Sequence, residues 1–280
     1  MADCPIARNP AHPQVIGLIP AGGQATRISP LPLSKELFPI GFQPVGQEGR
    51  LRPKVICQYL LERLQLAGIT KAFIILRPGK WDIPAYFGDG FDLGIDLGYL
   101  IMRSPNGVPY TLNQAFPFVG DSLIALGFPD ILFQPEDAFV RLLHRQANSN
   151  AVVVLGLFPT DQPSKVGMVD FDEAGRVRWI IEKPQQTHLR YMWAIAVWNP
   201  VFTHFLKDYL VESESLNMTE NTPRQEIPIG DVIQAAVERG LQVEAEVFHD
   251  GKFLDIGTPE DLAQAVHQFS DLNSVRPLHE

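Results

Sequence analysis

One stretch near the N-terminus combines small residues, a hydroxyl and a cation in an order that suits phosphate binding. An apolar run over 15–19 leads through Pro20 into Ala21, Gly22, Gly23, Gln24, Ala25, Thr26 and Arg27. Glycines let a ligand approach the backbone, free amides donate to phosphate oxygens, and an arginine guanidinium binds two oxygens at once. The stretch is therefore a candidate polyphosphate-binding loop, with a plain strand-to-loop turn as the alternative. Its spacing matches neither the dinucleotide-binding glycine pattern nor the phosphate loop of the ATPases.

A second cation, Lys35, lies shortly after this loop. Prolines at 30, 32 and 39 surround it and exclude a regular helix, so we expect a rigid loop to present the ammonium group. A lone lysine is more often a solvated surface charge. From its position alone, both interpretations stay open.

Two acidic residues far apart in the chain each follow an apolar run. Asp130 follows 124–128, and Asp255 follows Phe253-Leu254. The carboxyl ends of strands gather at the ligand crevice of an open α/β sheet, so we expect the two carboxylates to meet there. Mg²⁺ prefers hard oxygen ligands and usually takes one or two carboxylates plus substrate phosphates. The pair predicts a magnesium site; the alternatives are a turn residue for Asp130 and a helix-capping loop for Asp255.

The elements that must position these residues alternate between short apolar runs and helical periodicity. Strands are predicted over 15–19, 71–76, 123–128 and 151–158, with helices over 55–67 and 135–147. This order indicates a parallel sheet covered by helices. Beyond residue 159, runs over 166–172 and 176–181 flank Glu173-Ala174-Gly175, which favours an antiparallel hairpin.

The remaining part of the chain is predicted to close the fold. We expect strands over 191–198 and 243–248 and helices over 200–211 and 229–238. Thr258-Pro259-Glu260-Asp261 predicts the start of a terminal helix, because it offers a capping hydroxyl, a first-turn proline and two acids. The polar stretch 212–224 is predicted to be a surface loop, and it could equally carry a contact between copies of the chain.

Composition limits the class of protein. Of 280 residues, 45% are hydrophobic and 20% charged, as is typical of one globular domain. The 23 basic and 32 acidic residues give a net charge of −9, and no Lys/Arg-rich run is present, which argues against nucleic acid as a partner. The chain lacks both a secretory signal and the ~18-residue apolar run of a membrane span, so we expect no membrane partner and a cytoplasmic location. Cys4 and Cys57 suit neither a disulfide framework nor structural zinc.

The order of motifs resembles that of a known enzyme family. Pro20-Ala21-Gly22-Gly23-x-x-Thr26-Arg27-x-x-Pro30 followed by Lys35-x-x-x-Pro39 is similar to the signature of the sugar-1-phosphate nucleotidylyltransferases. Further matching stretches are YFGDG at 86–90, SPNG at 104–107, KVGMV at 165–169, EKP at 182–184 and DIGTP at 255–259. The resemblance covers nearly the whole chain and is greatest to the glucose-1-phosphate thymidylyltransferases.

The resemblance implies a fold, a division of the chain and a reaction. The fold is α/β, with a Rossmann-like, mostly parallel but mixed sheet covered by helices and a small antiparallel sugar-binding lobe. Residues 1–13 would be an irregular leader and 14–280 one domain, with a nucleotide-binding part over 14–158 and the sugar-binding lobe and closing helices over 159–280. The substrates would be a nucleoside triphosphate, dTTP or UTP, and a sugar 1-phosphate, with Mg²⁺ as cofactor.

The resemblance also assigns roles to particular residues. The catalytic cations would be Arg27, Lys35 and Lys183. The nucleotide would contact Ala21, Gly22, Gly23, Gln24, Thr26 and Gly107. The sugar phosphate would contact Gly167, Glu182 and Lys183, and the metal ligands would be Asp130 and Asp255. Without the resemblance, Glu182-Lys183 is an ordinary strand-end pair and Gly167 a strand bulge.

Several positions depart from the family pattern. Ala25 replaces a glycine, Pro129 precedes Asp130 where glycine is usual, and residues 109–111 look inserted after Gly107. Met102 occupies the position of a base-recognising glutamine, which leaves dTTP and UTP both open. Trp193-Ala194-Ile195 adds apolar bulk to the sugar lobe, so the hexose need not be glucose. A binding or regulatory protein that has lost efficient turnover is the alternative to an enzyme.

Overall fold

The computed structural model describes residues 14–45, 48–103, 106–217 and 226–269, so the leader at 1–13 lies outside the described residues. The strands in these ranges are β1 Val15–Ala21, β2 Pro39–Val45, β3 Arg50–Val55, β4 Lys71–Leu76, β5 Asp96–Ile101, β6 Leu123–Leu126, β7 Ile131–Gln134, β8 Val153–Pro159, β9 Gly167–Phe171, β10 Val177–Glu182, β11 Tyr191–Trp198, β12 Val243–Val247 and β13 Lys252–Asp255. The helices are α1 Ile56–Leu66, α2 Asp82–Phe87, α3 Val108–Asn113, α4 Phe116–Val119, α5 Ala138–Asn148, α6 Pro200–Asn217, α7 Ile229–Glu238 and α8 Pro259–Phe269.

A mixed sheet of nine strands forms the centre of the molecule. Its main path runs β10-β9-β11-β6-β1-β4-β5, while β8 joins β11 and β12 joins β8. The β6-β1-β4-β5 part is parallel, and β11 runs antiparallel to β6, β8 and β9. The β9–β10 hairpin lies at one end of the path. The predicted α/β fold with a mixed, helix-covered sheet is therefore confirmed.

Apolar side chains cover both faces of this sheet. In β1, Ile19 packs into a core with residues of α1 and α5, while its neighbour Leu18 packs into a second core with residues of α6 and α7. Successive strand residues point to opposite faces, so a continuous apolar run such as β1 requires helices on both sides. Because both faces of the sheet are covered, polar residues that bind a ligand are expected at the ends of its strands.

Two strand pairs and one further strand were not predicted from the sequence. β2 and β3 form a separate antiparallel hairpin, and most of β3 is exposed. β5 is only partly buried, and β7 is four residues long and pairs antiparallel with β13 in a sheet of its own. Asp130 follows β6 of the parallel part, as expected, but Asp255 ends β13, which lies outside the main sheet, and the β7–β13 ladder brings the two acids together.

Helix α6 is longer at its C-terminal end than the sequence predicts. α6 continues to Asn217, so the surface loop predicted from residue 212 was wrong over 212–217, and 218–224 lie outside the described residues. The Ser213 and Ser215 hydroxyls donate to the Tyr209 and Val211 carbonyls, at 2.8 and 2.9 Å, so both hydroxyls have a partner within the helix. Across the described ranges, no helix combines the length and apolarity needed to cross a membrane.

Candidate active site

The loop after β1 lies against Met102. A side chain at Gly22 would collide with the Met102 sulfur, whereas one at Gly23 would meet nothing within 4 Å. Met102 itself is buried, at 6% exposure. The loop backbone is thus closed on the Met102 side and open at Gly23, where Gln24 and Thr26 are also exposed.

Ala25 adopts the left-handed backbone conformation that glycine favours, with φ at +52°. Its carbonyl accepts hydrogen bonds from the N–H groups of Ile28 and Ser29, at 3.1 and 3.0 Å, and from the Ser29 hydroxyl at 2.8 Å. This turn directs the chain back past Arg27. The conformation that the family pattern assigns to glycine is therefore kept here by an alanine, at a steric cost.

Lys35 and Asp130 form an ion pair in the centre of the candidate site, with side chains 13% and 20% exposed. Asp255 pairs with Ile131 across the β7–β13 ladder. One residue later, the Ile256 N–H donates to the Asp130 carbonyl at 3.0 Å. The ladder therefore fixes the two acids as neighbours, with the Lys35 ammonium against one of them.

Arg27 joins this group beside Asp255. A Cβ placed on Gly257 would lie 2.7 Å from an Arg27 guanidinium nitrogen and 3.5 Å from an Asp255 carboxylate oxygen. Only glycine at 257 lets the guanidinium come this close to the end of β13. We name Arg27, Lys35, Asp130 and Asp255 the charged cluster.

The charged cluster holds its two carboxylates so close together, and so far from water, that the pKa of one of them is raised. Burial and the neighbouring Asp130 carboxylate raise the pKa of Asp255 to about 6, against the opposing effect of Lys35 and Arg27. Burial alone would lower the pKa of Lys35, but its contact with Asp130, together with Asp255 and Glu36, raises it above its usual value. The ammonium therefore stays charged, while Asp255 gives up its proton only as the pH rises through about 6.

The donor set of the charged cluster fits Mg²⁺. Asp130 and Asp255 supply two adjacent carboxylates, and Mg²⁺ commonly takes one or two, completing its shell with water and substrate phosphates. Within the described residues, no group of three or more His, Cys, Asp or Glu side chains gathers around a point. Such a site suits an ion that is shared with a phosphate-bearing substrate.

A second group of predicted residues gathers at the end of the β9–β10 hairpin. Glu182 pairs with Gly167 in register, and a Cβ on Gly167 would lie 2.7 Å from both a Glu182 oxygen and the Trp193 indole nitrogen. A Cβ on Gly230, at the start of α7, would collide with the same carboxylate. We name Gly167, Glu182, Lys183 and Trp193 the hairpin-end cluster.

The surroundings of Glu182 raise the pKa of its carboxyl group. Burial and the nearby Asp231 raise its pKa, while Lys183 and the hydrogen bond donated by the Trp193 indole partly oppose this. Lys183 is exposed and has φ at +49°, a strained value that its N–H bond to the Val166 carbonyl at 3.0 Å helps to hold. The carboxylate and the ammonium can thus contact one ligand from neighbouring positions.

The two clusters are neighbours. Phe128, two residues before Asp130, packs its ring 6.0 Å from that of Trp193. Gly107, with φ at +105°, approaches the backbone of Ile227 near the start of α7. A Cβ there would lie 2.5 Å from the Ile227 carbonyl oxygen, so glycine is required. The structure therefore places Gly107 beside α7 rather than within the charged cluster.

Sequence patterns missed the groups that support Lys35. Ser34 and Glu36, on either side of it, contact Asp82 and Lys80. The only sequence signal for Lys80 and Asp82 is their position just after β4, whose carboxyl end belongs to the parallel part of the sheet. Asp231 and Gly230 were missed for a similar reason, since nothing local in α7 indicates the contact with Glu182.

Comparisons with known proteins agree with this geometry. Curated relatives include a low-salt glycan biosynthesis nucleotidyltransferase of Haloferax volcanii, 27% identical over 89% of this chain; the chain spans 64% of that relative's length. A glucose-1-phosphate thymidylyltransferase of Neisseria gonorrhoeae is 29% identical over 94% of this chain and 85% of the relative.

Solved structures share the fold. A Bacillus anthracis protein provisionally named a glucose-1-phosphate thymidylyltransferase, solved with sucrose, aligns over 94% of this chain and 98% of its own at 20% identity and a TM-score of 0.75. An apo UDP-glucose pyrophosphorylase aligns over 91% and 98% at 18% identity, with a TM-score of 0.73. A family model described as nucleotidyl transferase matches residues 16–271. The chain therefore belongs to the nucleotidyl transferase family, in the group of the sugar-1-phosphate nucleotidyltransferases.

Proposed function

We propose that this protein transfers a nucleotidyl group from dTTP or UTP to a sugar 1-phosphate and releases pyrophosphate. A phosphate oxygen of the sugar 1-phosphate attacks the α-phosphorus, and the bond from that phosphorus to the β-phosphate bridging oxygen breaks. Pyrophosphate leaves with the bonding electron pair. The observation that carries this proposal is the charged cluster beside the open loop after β1, with the hairpin-end cluster next to it.

Each cluster has a task in this reaction. Arg27 and Lys35 bind the triphosphate and neutralise the charge that develops on the departing pyrophosphate, while the amides of the 21–26 loop hold the phosphates. Gly107 approaches the nucleotide, and Lys183 binds the sugar phosphate while Glu182 accepts hydrogen bonds from sugar hydroxyls across the space that Gly167 leaves open. The protein forms no covalent bond to either substrate in this scheme, so its main contribution is to orient the two substrates.

A magnesium ion would be held by Asp130 and Asp255 and would supply positive charge to the phosphates during displacement. A bound cation would favour the ionised form of Asp255 and so lower its pKa from the raised value of about 6. Lys35 would then be free to turn from Asp130 towards the triphosphate. A cytoplasmic location and a contact between copies stay predictions of the sequence alone.

The test is pyrophosphate release from a panel of dTTP, UTP and purine triphosphates, each with several hexose 1-phosphates and Mg²⁺. We expect release only when a pyrimidine triphosphate and a sugar 1-phosphate are both present, with a nucleotide-sugar formed in equal amount. Thermal stabilisation by these ligands without turnover would favour the alternative of a binding protein. Neither stabilisation nor turnover with any pair would reject both.

A further inference from the structure

Lys35 lies on a short turn, and the residues immediately before and after it both contact the segment 80–82. Residues Lys35–Leu37 form a single 3-10 turn. Before it, Ser34 donates from its N–H and its hydroxyl to the Asp82 carboxylate, at 2.7 Å each. After Lys35, Glu36 accepts from the Lys80 ammonium at 2.5 Å. The turn is therefore bound on both sides to the 80–82 segment that follows β4.

The Glu36–Lys80 ion pair is buried, with side chains 2% and 8% exposed. The second Glu36 oxygen is buried without a hydrogen-bond partner among the described residues. Such a pair is a poor source of stability, because desolvation offsets the attraction and apolar residues of similar volume are often at least as stable. What the pair does provide is a fixed direction for the turn.

Direction matters because neighbouring side chains in a 3-10 turn diverge by about a third of a turn. With Glu36 anchored inward at Lys80, the Lys35 side chain is directed to Asp130, with which it pairs. A lysine already has a long, flexible stem, so an anchored backbone keeps movement of the turn from adding to the movement of the side chain. Catalysis by a cation depends on its position more than on its presence.

We propose that Glu36 and Lys80 are positioning residues, whose ion pair, with the Ser34–Asp82 hydrogen bonds, holds the Lys35 ammonium in the charged cluster. The use made of Lys35 rests on the proposed function. The geometry itself does not, so it can be measured without turnover.

The first test labels lysines in the native protein with acetic anhydride and follows each site by mass spectrometry. In Lys80→Met, Glu36 is buried without its cation and the turn shifts, so we expect Lys35 to be acylated about tenfold faster than in the wild type, equivalent to ~1.4 kcal/mol. The paired variant Glu36→Met/Lys80→Met removes both charges and is expected to fold even where the single variant does not. It too should show faster labelling of Lys35.

The matched control is Lys54→Met, which removes a comparably shielded lysine that pairs with Glu62 on α1 and not with a residue of the turn. Its Lys35 labelling should equal that of the wild type. An unchanged rate at Lys35 in the folded Lys80 variants would overturn the proposal, whatever their turnover.

The second test is a double-mutant cycle in pyrophosphate release. Lys80→Met should lower kcat/KM about tenfold or more in the wild type, yet by less than about twofold in Lys35→Ala, because its effect acts through Lys35. Equal factors in both backgrounds would indicate a structural role and contradict the proposal. If the wild type turns over no substrate, the proposed function fails, and the labelling rates alone decide the positioning role.

Discussion

Arg27 and Lys35 differ in their surroundings although both are cations. Arg27 is exposed beside Gly257, while Lys35 is 13% exposed and paired with Asp130. Neither belongs to an apolar core, so Arg27→Ala and Lys35→Ala should fold. Loss of one well-placed charge contact commonly costs about 2.7–4 kcal/mol of transition-state stabilisation, roughly 10²–10³ in rate. Pyrophosphate release measures this loss.

A matched control is Arg50→Ala, since Arg50 is an exposed arginine on β3 whose side chain is 72% exposed. Its turnover should equal that of the wild type. Wild-type rates from folded Arg27→Ala and Lys35→Ala would contradict their role with the triphosphate.

Asp255 makes the stability of the metal-free protein depend on pH. Its pKa is raised from 3.8 to about 6, so the folded state binds more protons than the unfolded state between these values. Its contribution favours folding below about pH 4 and is lost as the pH rises through about 6. Asp255→Asn should therefore gain stability relative to the wild type above pH 6, and this gain should vanish below pH 4.

Denaturant unfolding in the presence of a chelator, at several pH values, measures this difference. Asp130→Asn is the comparison, because it also removes the Lys35 ion pair and should lack the gain. Both variants should lose most turnover and the stabilisation of the wild type by Mg²⁺. A constant difference between Asp255→Asn and the wild type across the pH range would contradict the account.

Ala25 carries a steric cost that glycine would remove. A left-handed conformation costs an L-residue about 1–2 kcal/mol, whereas the extra freedom of unfolded glycine returns about 0.4–1 kcal/mol of that. Ala25→Gly should thus raise the free energy of unfolding by up to about 1.6 kcal/mol. The control Ala85→Gly, on the exposed side of α2, should lower it by about 0.5–1 kcal/mol. Destabilisation by both would show that φ at Ala25 is not strained.

At the scale of elements, α7 sets the position of the sugar-side carboxylate. The start of α7 lies so close to β10 that a Cβ on Gly230 would occupy the place of the Glu182 carboxylate. Gly230→Ala should fold, since alanine favours a helix, but should displace Glu182. We expect its KM for the sugar phosphate to rise more than its KM for the triphosphate. An equal rise in both constants, or none, would contradict the contact.

The predictable elements are those with continuous or periodic apolar patterns. β1, β4 and α1 were predicted within one or two residues because each buries an apolar run or stripe. β3 carries three cations and a proline, and β7 is too short to show a pattern. β3 pairs with its neighbour β2 without an apolar run to indicate it, and β7 pairs with the distant β13, so no local signal predicts either pairing.

The candidate site likewise contains residues that the sequence indicates and residues that it does not. Arg27, Lys35 and the two acids could be proposed from residue types near strand ends and from the family resemblance. The Glu36–Lys80 pair joins residues 44 positions apart, and the pairing of an acid with a cation across such a distance has no sequence signature. Sequence therefore indicates the groups that would touch substrate better than the groups that hold them.

At the scale of the whole molecule, the proposed reaction divides its two substrates between two clusters. The charged cluster joins the loop after β1 to the β7–β13 ladder, and the hairpin-end cluster joins β9–β10 to α7. Phe128 and Trp193 connect them. Attack by one phosphate on another requires both clusters to hold their ligands at once, with reacting atoms about 3–3.5 Å apart.

The most direct test of this division is the pair of Michaelis constants in Lys183→Ala and Lys35→Ala, each measured with the other substrate saturating. We predict that Lys183→Ala raises KM for the sugar 1-phosphate at least about tenfold more than KM for the triphosphate, a difference of ~1.4 kcal/mol. Lys35→Ala should do the reverse or lower kcat alone. The opposite ordering, with Lys183→Ala acting mainly on the triphosphate, would contradict the assignment of the two clusters.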